Sequence, residues 1–226
     1  MLQETKLRPN EHIACASLDD YQVYYLSRQK SQGGGVALGV NKNIESTLIN
    51  EGEEGIEILS VKLQMGGKQV RIVTAYGPQE NASIDKKNNF WEFLEKEMND
   101  AEFEEEGLIL QMDGNLHAGP NLIKHDPNKQ NQNGKIFLEF LERNPQLTVV
   151  NTLNVCEGLI TRSRKVEEKN EKAVLDFFVV NEKILPFIKR MIVDENKNFG
   201  LIILAQIKKN KHLIESDHNA LVLELA

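Results

Sequence analysis

The 226 residues, 40% apolar and 27% charged, suffice for one domain with a sizeable buried core. No apolar run approaches the roughly 18 residues of a membrane span, and the polar start lacks a signal-peptide pattern. Only Cys15 and Cys156 occur, which excludes a disulfide framework or a cysteine zinc site and predicts a reducing, intracellular setting.

A net charge of −7 gives no support for a polyanionic partner, yet it is unevenly spread. Residues 95–106 hold seven acids and one base, so this segment carries −6 of it and reads as a solvated helix end and loop. The remainder is close to neutral, and a nucleic-acid substrate stays open.

In chain order, a first helical turn is predicted after Arg8-Pro9-Asn10-Glu11, where proline suits the opening position. Apolar or alternating β-rich runs follow at Gln22–Leu26, Gly35–Val40, Ile56–Leu63 and Val70–Ala75, then at Gly107–Met112, Leu147–Val150, Val174–Val180 and Ala220–Leu225. Gly33-Gly34-Gly35 reads as a turn into the second of these, and Met65-Gly66-Gly67-Lys68 as a hairpin turn. Helical periodicity appears twice, through Phe90, Trp91, Leu94 and Met98, and through Ile136, Phe137, Phe140 and Leu141. Strands outnumber helices, which predicts a sheet-on-sheet core with flanking helices in one domain, 1–226.

Five short strings place acidic or polar residues at the ends of apolar runs: Leu2-Gln3-Glu4, Ala75-Tyr76-Gly77-Pro78, Met112-Asp113-Gly114-Asn115, Leu175-Asp176-Phe177 and Ser216-Asp217-His218. Carboxylates gathered with a histidine suit a hard divalent cation and a phosphate ester. Asp113 and Asn115, two residues apart, can both project from a strand end, one orienting a water and the other donating to a phosphate oxygen. The same string also reads as an ordinary Asp-Gly-Asn turn. His218 exchanges protons near neutral pH, with Asp176 its better carboxylate partner and Asp217 left for metal or water. Its alternative is an exposed histidine at a strand start.

Glu4 alone reads as a helix N-terminal charge, and Tyr76 either as a phosphate donor or as a half-buried core residue. His117 lies two residues from Asn115 and is a candidate for the same cleft. Arg162, Arg164 and Lys165, with Lys169 and Lys172, face Glu167, Glu168 and Glu171 for a net +2, either a phosphate-gripping loop or a solvated hairpin. Lys208, Lys209, Lys211 and His212 form a second modest patch.

Taken in order, these strings resemble the endonuclease/exonuclease/phosphatase superfamily, which contains exonuclease III-like and DNase I-like enzymes. Gly34-Gly35-Val36-Ala37 and Asp113–His117 look similar to the endonuclease domain of non-LTR (LINE-type) retrotransposons. The resemblance implies a four-layer α/β/β/α sandwich of two mixed sheets. It implies Mg²⁺ or Mn²⁺ near Glu4 and Asp217, with in-line attack of water on a phosphodiester. His218 and Asp176 would handle the proton, Asp113 would position the nucleophile, and Asn115 and Tyr76 would hold the phosphate. The implied partner is DNA, with RNA as an alternative, no membrane, a reverse transcriptase domain in a parent element, and a nuclear location. A phosphomonoesterase of the same superfamily and an inactive remnant that only binds are the competing expectations.

Three positions depart from the family pattern. Met1 directly precedes Leu2, so the strand carrying a further metal-contacting asparagine is expected to be missing. An N-terminally truncated domain would leave unpaired backbone groups, which predicts poor solubility or weak activity. Gly114 replaces the usual aromatic, and Arg162 stands where a tryptophan often follows the threonine.

Overall fold

The computed structural model describes residues 1–3, 5, 19–27, 34–53, 55–198, 202–207 and 210–226, and of 202–207 and 210–215 the backbone alone. The predicted turn at Arg8–Glu11 and the Lys208–Lys209 part of the second basic patch lie outside these residues, as do the side chains of Lys211 and His212.

The chain runs through β1 (Leu2–Gln3), β2 (Tyr21–Leu26), β3 (Val36–Asn41), β4 (Glu45–Asn50), β5 (Glu57–Met65) and β6 (Lys68–Tyr76). The helix α1 (Ile84–Phe103), β7 (Gly107–Asp113), the helix α2 (Gln132–Arg143) and β8 (Leu147–Val149) follow. The last third holds β9 (Cys156–Glu157), β10 (Arg162–Val166), β11 (Lys169–Ala173), β12 (Asp176–Asn181), β13 (Ile188–Val193), β14 (Ile202–Ile207), β15 (Asn210–Glu215) and β16 (Leu221–Leu225).

Six strands form a mixed sheet in the order β4-β5-β6-β7-β12-β8, in which β6 and β7 are parallel and the other pairs antiparallel. The parallel pair follows from chain order, because α1 supplies the crossover that a parallel connection requires. Strands β1-β3-β2 and β16-β13-β9 supply the opposing β layer.

The two faces of the large sheet separate by the period of two. Ile58, Val73, Ala75, Leu108, Leu110, Met112, Phe177 and Val179 face α1 and α2. Leu59, Val61, Ile72, Ile109, Phe178 and Val180 face Val36, Leu38, Met191 and Val193 of the second layer. Strands buried on both faces read as continuous apolar runs, which is why β5, β6, β7 and β12 were legible. Edge strand β4, with the sequence ESTLIN and alternating exposure, carries too little apolar signal to be read.

Helix α1 is capped by Ser83, whose hydroxyl accepts from the Lys86 N–H, and α2 by Asn131, whose side chain accepts from the Gly134 N–H. Their apolar stripes meet through aromatic rings: Trp91 stacks on Phe137 at 5.5 Å, and Phe137 lies 5.3 Å from Phe177 on β12. The Gly66-Gly67 turn takes φ of +56° and +78°, and Met65 pairs with Lys68, as the hairpin reading requires.

The acidic segment 95–106 departs from its solvated reading. Glu97 and Glu106 are buried, and Arg71 of β6, equally buried, binds Glu106 at 2.6 Å and approaches Glu97 at 3.6 Å. Lys62 adds bonds to Glu104 and Glu106, while Ser60 and Asn50 donate to the two Glu97 oxygens at 2.6 Å. Net charge counting missed this, since the partner cations lie far away in sequence. Arg71→Ala is expected to cost about 3–5 kcal/mol, because it leaves two buried carboxylates short of a cation. Urea unfolding measures it, and a loss below ~1 kcal/mol contradicts the network's role.

Candidate active site

Register builds the site. Glu57 of β5 pairs with Tyr76 of β6, Tyr76 with Asp113 of β7, and Asp113 with Asp176 of β12. Four polar side chains therefore stand in one row across four strands, at one end of the sheet. By the period of two they share the face of Leu59, Ile72, Ile109 and Phe178, which looks into the space between the β layers.

Beyond the row the chain turns sharply. The Asp113 Oδ1 accepts the Asn115 N–H at 3.0 Å, and Asn115 adopts φ of +47°, a conformation open to asparagine. Its Nδ2 donates to the Gly77 carbonyl at 2.9 Å, while the Gly77 N–H donates to the Asp113 carbonyl at 2.7 Å. A side chain at Gly77 would collide with the Gly114 backbone, so glycine is required where the two strand ends approach. The Asp-Gly-Asn turn is present, and it places Asp113 and Asn115 at the end of the row.

His218 arrives from the other β layer, just before β16. An isolated bridge pairs it with Arg162. Its Nδ1 donates to the Asp176 carboxylate at 2.9 and 3.1 Å, which leaves Nε2 directed to Asp113, 3.8 Å from Oδ2. Asp113 and Asp176 are 3% and 4% exposed, and the His218 side chain is 27% exposed, so the imidazole is the reachable member. Burial alone would lower the His218 pKa. The Asp176 charge and hydrogen bond, with the Asp113 and Asp217 charges, outweigh it and raise the pKa to about 9.

Asp217 turns to a different partner. Its Oδ2 accepts from the Arg162 Nε at 2.8 Å. Burial pushes its pKa up, but the Arg162 hydrogen bond and charge, then the His218 charge, hold the carboxyl below the usual range.

Three residues that no spacing marked hold the pair in place. The buried Thr161 hydroxyl accepts the N–H groups of Leu175 and Asp176 at 2.8 and 3.0 Å, and the Thr161 carbonyl accepts the Asn219 N–H. The Asn219 side chain donates to the Ile160 carbonyl, and Asn151 Nδ2 donates to the Asp176 carbonyl at 3.1 Å. Glu57, the fourth residue of the row, accepts the Gly35 N–H. Each acts on backbone, which leaves no sequence signature.

The other candidates are placed as follows. Tyr76 is buried in the core between the β layers and edges a cleft of about 860 Å³ that runs past Glu57, Gly77 and Pro78 to Ser83 and Lys86 of α1. Arg164 pairs with Glu171 across the β10–β11 hairpin at 2.7 Å, and Lys165 is exposed beside it. The His117 backbone N–H donates to the Asn131 Oδ1 at 3.1 Å, and its buried Nδ1 has no hydrogen-bond partner among the described residues. Glu4 lies outside the described residues.

Asp113, Asp176 and His218 each bring a ligand atom within 4.8 Å of the others, a group able to hold a metal ion. The donor chemistry fits a hard divalent cation through its two carboxylates. The imidazole is already committed, with Nδ1 on Asp176.

This sandwich is the fold of the endonuclease/exonuclease/phosphatase superfamily. The endonuclease domain of TRAS1, a telomere-specific non-LTR retrotransposon, superposes with TM-score 0.65 at 17% identity, over 91% of this chain and 80% of that domain. The 3′ phosphatase NExo from Neisseria, solved with a product DNA hairpin, gives TM-score 0.67 at 17% identity, over 99% and 87%. The mannosyl-6-phosphatase Bt3783 from Bacteroides thetaiotaomicron gives 0.55 at 13% identity, over 93% and 78%. No protein-family model and no curated protein sequence matches the chain. Among the described residues no helix is long and apolar enough to cross a membrane.

The raised His218 pKa has a stated sign. A group raised from 6.5 to about 9 contributes stability that is complete below 6.5 and is lost as pH rises through about 9. Asp176→Asn removes the main cause, so NMR titration of the His218 ring is expected to show its midpoint fall towards 6.5. An unchanged midpoint would deny Asp176 that role.

Proposed function

We propose that this protein is a divalent-metal-dependent phosphodiesterase, and that its substrate is DNA, cut internally by in-line attack of water. The observation that carries the reading is the Asp176–His218–Asp113 alignment: a carboxylate orients an imidazole whose second nitrogen faces a second buried carboxylate. Support for a phosphate-ester substrate comes from the fold, which the chain shares with a retrotransposon endonuclease domain and with two phosphatases.

The Asp113 and Asp176 carboxylates, with Glu4 by the resemblance, are the residues that would hold Mg²⁺ or Mn²⁺. The bound ion would neutralise phosphate charge and make water more acidic.

The remaining work falls to this chain's own side chains. Held by Asp176 through Nδ1, His218 acts as donor and, in its protonated form, as charge. Asp176 fixes the ring so that Nε2–H, its other nitrogen engaged, donates to a non-bridging oxygen and follows the charge that develops there. Asp113 Oδ2 lies 3.8 Å from that nitrogen, placed to orient the water that the bound ion would acidify. Asn115 Nδ2 donates one hydrogen to the Gly77 carbonyl and keeps its second for a phosphate oxygen, and Tyr76 stands next in the row.

The test is nicking of supercoiled plasmid in Mg²⁺, with and without EDTA, beside Asp113→Ala and His218→Ala. Nicking is expected to need the metal, and each substitution to lower its rate by about a hundredfold or more. Wild-type rates in both variants would end the assignment. A small sugar phosphate run in parallel separates the alternative, since its hydrolysis without any DNA cutting makes the protein a phosphomonoesterase.

A further inference from the structure

The pairing of Asp217 with Arg162 carries a consequence for substrate recognition. Arg162 opens β10, bridged to His218, and its Nε donates to Asp217 Oδ2 at 2.8 Å. The guanidinium carries five N–H groups, and Nε is the one with a hydrogen-bond partner among the described residues. Its side chain is 26% exposed, against 43% for Asp217, so both are within reach of a ligand at the site.

We propose that Asp217 serves as the holder of Arg162, not as a metal ligand, and that Arg162 binds a phosphate of the substrate backbone beside the scissile bond. The inference rests on the reading of this protein as a phosphodiesterase. It differs from that reading in taking Asp217 away from the ion and giving the substrate a fixed cationic contact.

Three observations converge on it. The Asp217 Oδ2 is taken by a charge-assisted bond at 2.8 Å, so an ion would have only Oδ1 and would set a second cation beside the guanidinium. Held through Nε, the flat guanidinium keeps its terminal N–H groups for the fork geometry that matches phosphate. Placement completes the case: the Ser163 N–H donates to the Asp217 carbonyl at 2.8 Å and the Asn219 N–H to the Thr161 carbonyl, so the arginine's backbone is stitched to both sides of His218. Arg162 is therefore aimed by the same strand contact that aims the imidazole. Arg164, two residues on, is satisfied by Glu171, which leaves Arg162 as the arginine of this hairpin that lies at the site.

Two binding measurements test it on the full chain, neither requiring turnover. Fluorescence anisotropy with a 20-base-pair duplex in EDTA should show Arg162→Gln weakening binding about tenfold, with the slope of log K against log salt smaller by about one. Arg162→Lys, which keeps the charge without the fork, should recover part of that loss, and serves if the glutamine variant fails to fold. Calorimetry with Mg²⁺ should find Asp217→Asn binding the ion as wild type does, while its duplex affinity drops about threefold as the arginine loses its holder. An Asp217→Asn variant whose Mg²⁺ affinity falls tenfold or more returns Asp217 to the metal and overturns the proposal, as does duplex binding unchanged in Arg162→Gln. Binding that depends on Arg162 without any nicking would leave this inference standing and remove the endonuclease reading. Nicking that needs Asp113 but is indifferent to Arg162 does the reverse.

Discussion

Everything at the candidate site depends on the register between β7 and β12. Asp113 lies opposite Asp176, and the parallel β6–β7 pairing aligns Tyr76 with both. A slip of one residue in either pair would turn its carboxylate to the helix face, among Met112, Leu110 and Phe177. Burial on both faces of these central strands forbids that slip, since it would also push a full set of apolar side chains out of place. The hydrophobic core thus holds the polar row in alignment.

Charge is distributed by location. Beneath α1, Arg71 and Lys62 compensate Glu97, Glu104 and Glu106, in a network sealed from solvent except at Glu104 and Lys62. That network joins the helix to β5 and β6 on the face away from the row of Glu57, Tyr76, Asp113 and Asp176. At the site itself, three carboxylates (Asp113, Asp176 and Asp217) meet two cations, His218 and Arg162. The remaining negative charge would repel a phosphate, which is a physical reason for a divalent cation to join the substrate here. Compensation buried elsewhere and left incomplete at the cleft is the electrostatic form expected of a metal-assisted site.

Rigidity is also graded. Asp176 has its N–H held by Thr161 and its carbonyl by Asn151, and Thr161 in turn holds Asn219 beside His218. These contacts explain how a histidine borne on one β layer meets an aspartate borne on the other without a covalent tie. A hydroxyl and two amides at backbone positions do the aligning, while the charged groups stay available for chemistry.

The amino-acid sequence by itself determined the central strands, the two amphipathic helices, the Gly66-Gly67 hairpin and the placing of Asp113 and Asp176 at strand ends with His218 just before the last strand. Continuous apolar runs, helical spacing and polar residues at strand ends are local patterns, and local patterns survive in one dimension. The edge strand β4, the partner of Asp217, the backbone clamps of Thr161, Asn151 and Asn219, and the burial of Glu97 and Glu106 belonged to the tertiary structure alone. Arg162 and Asp217 are 55 residues apart, and Thr161 and Asp176 are 15 apart. Such contacts come from which strands neighbour one another, and strand order is set by the packing of the whole sheet, not by any segment of it.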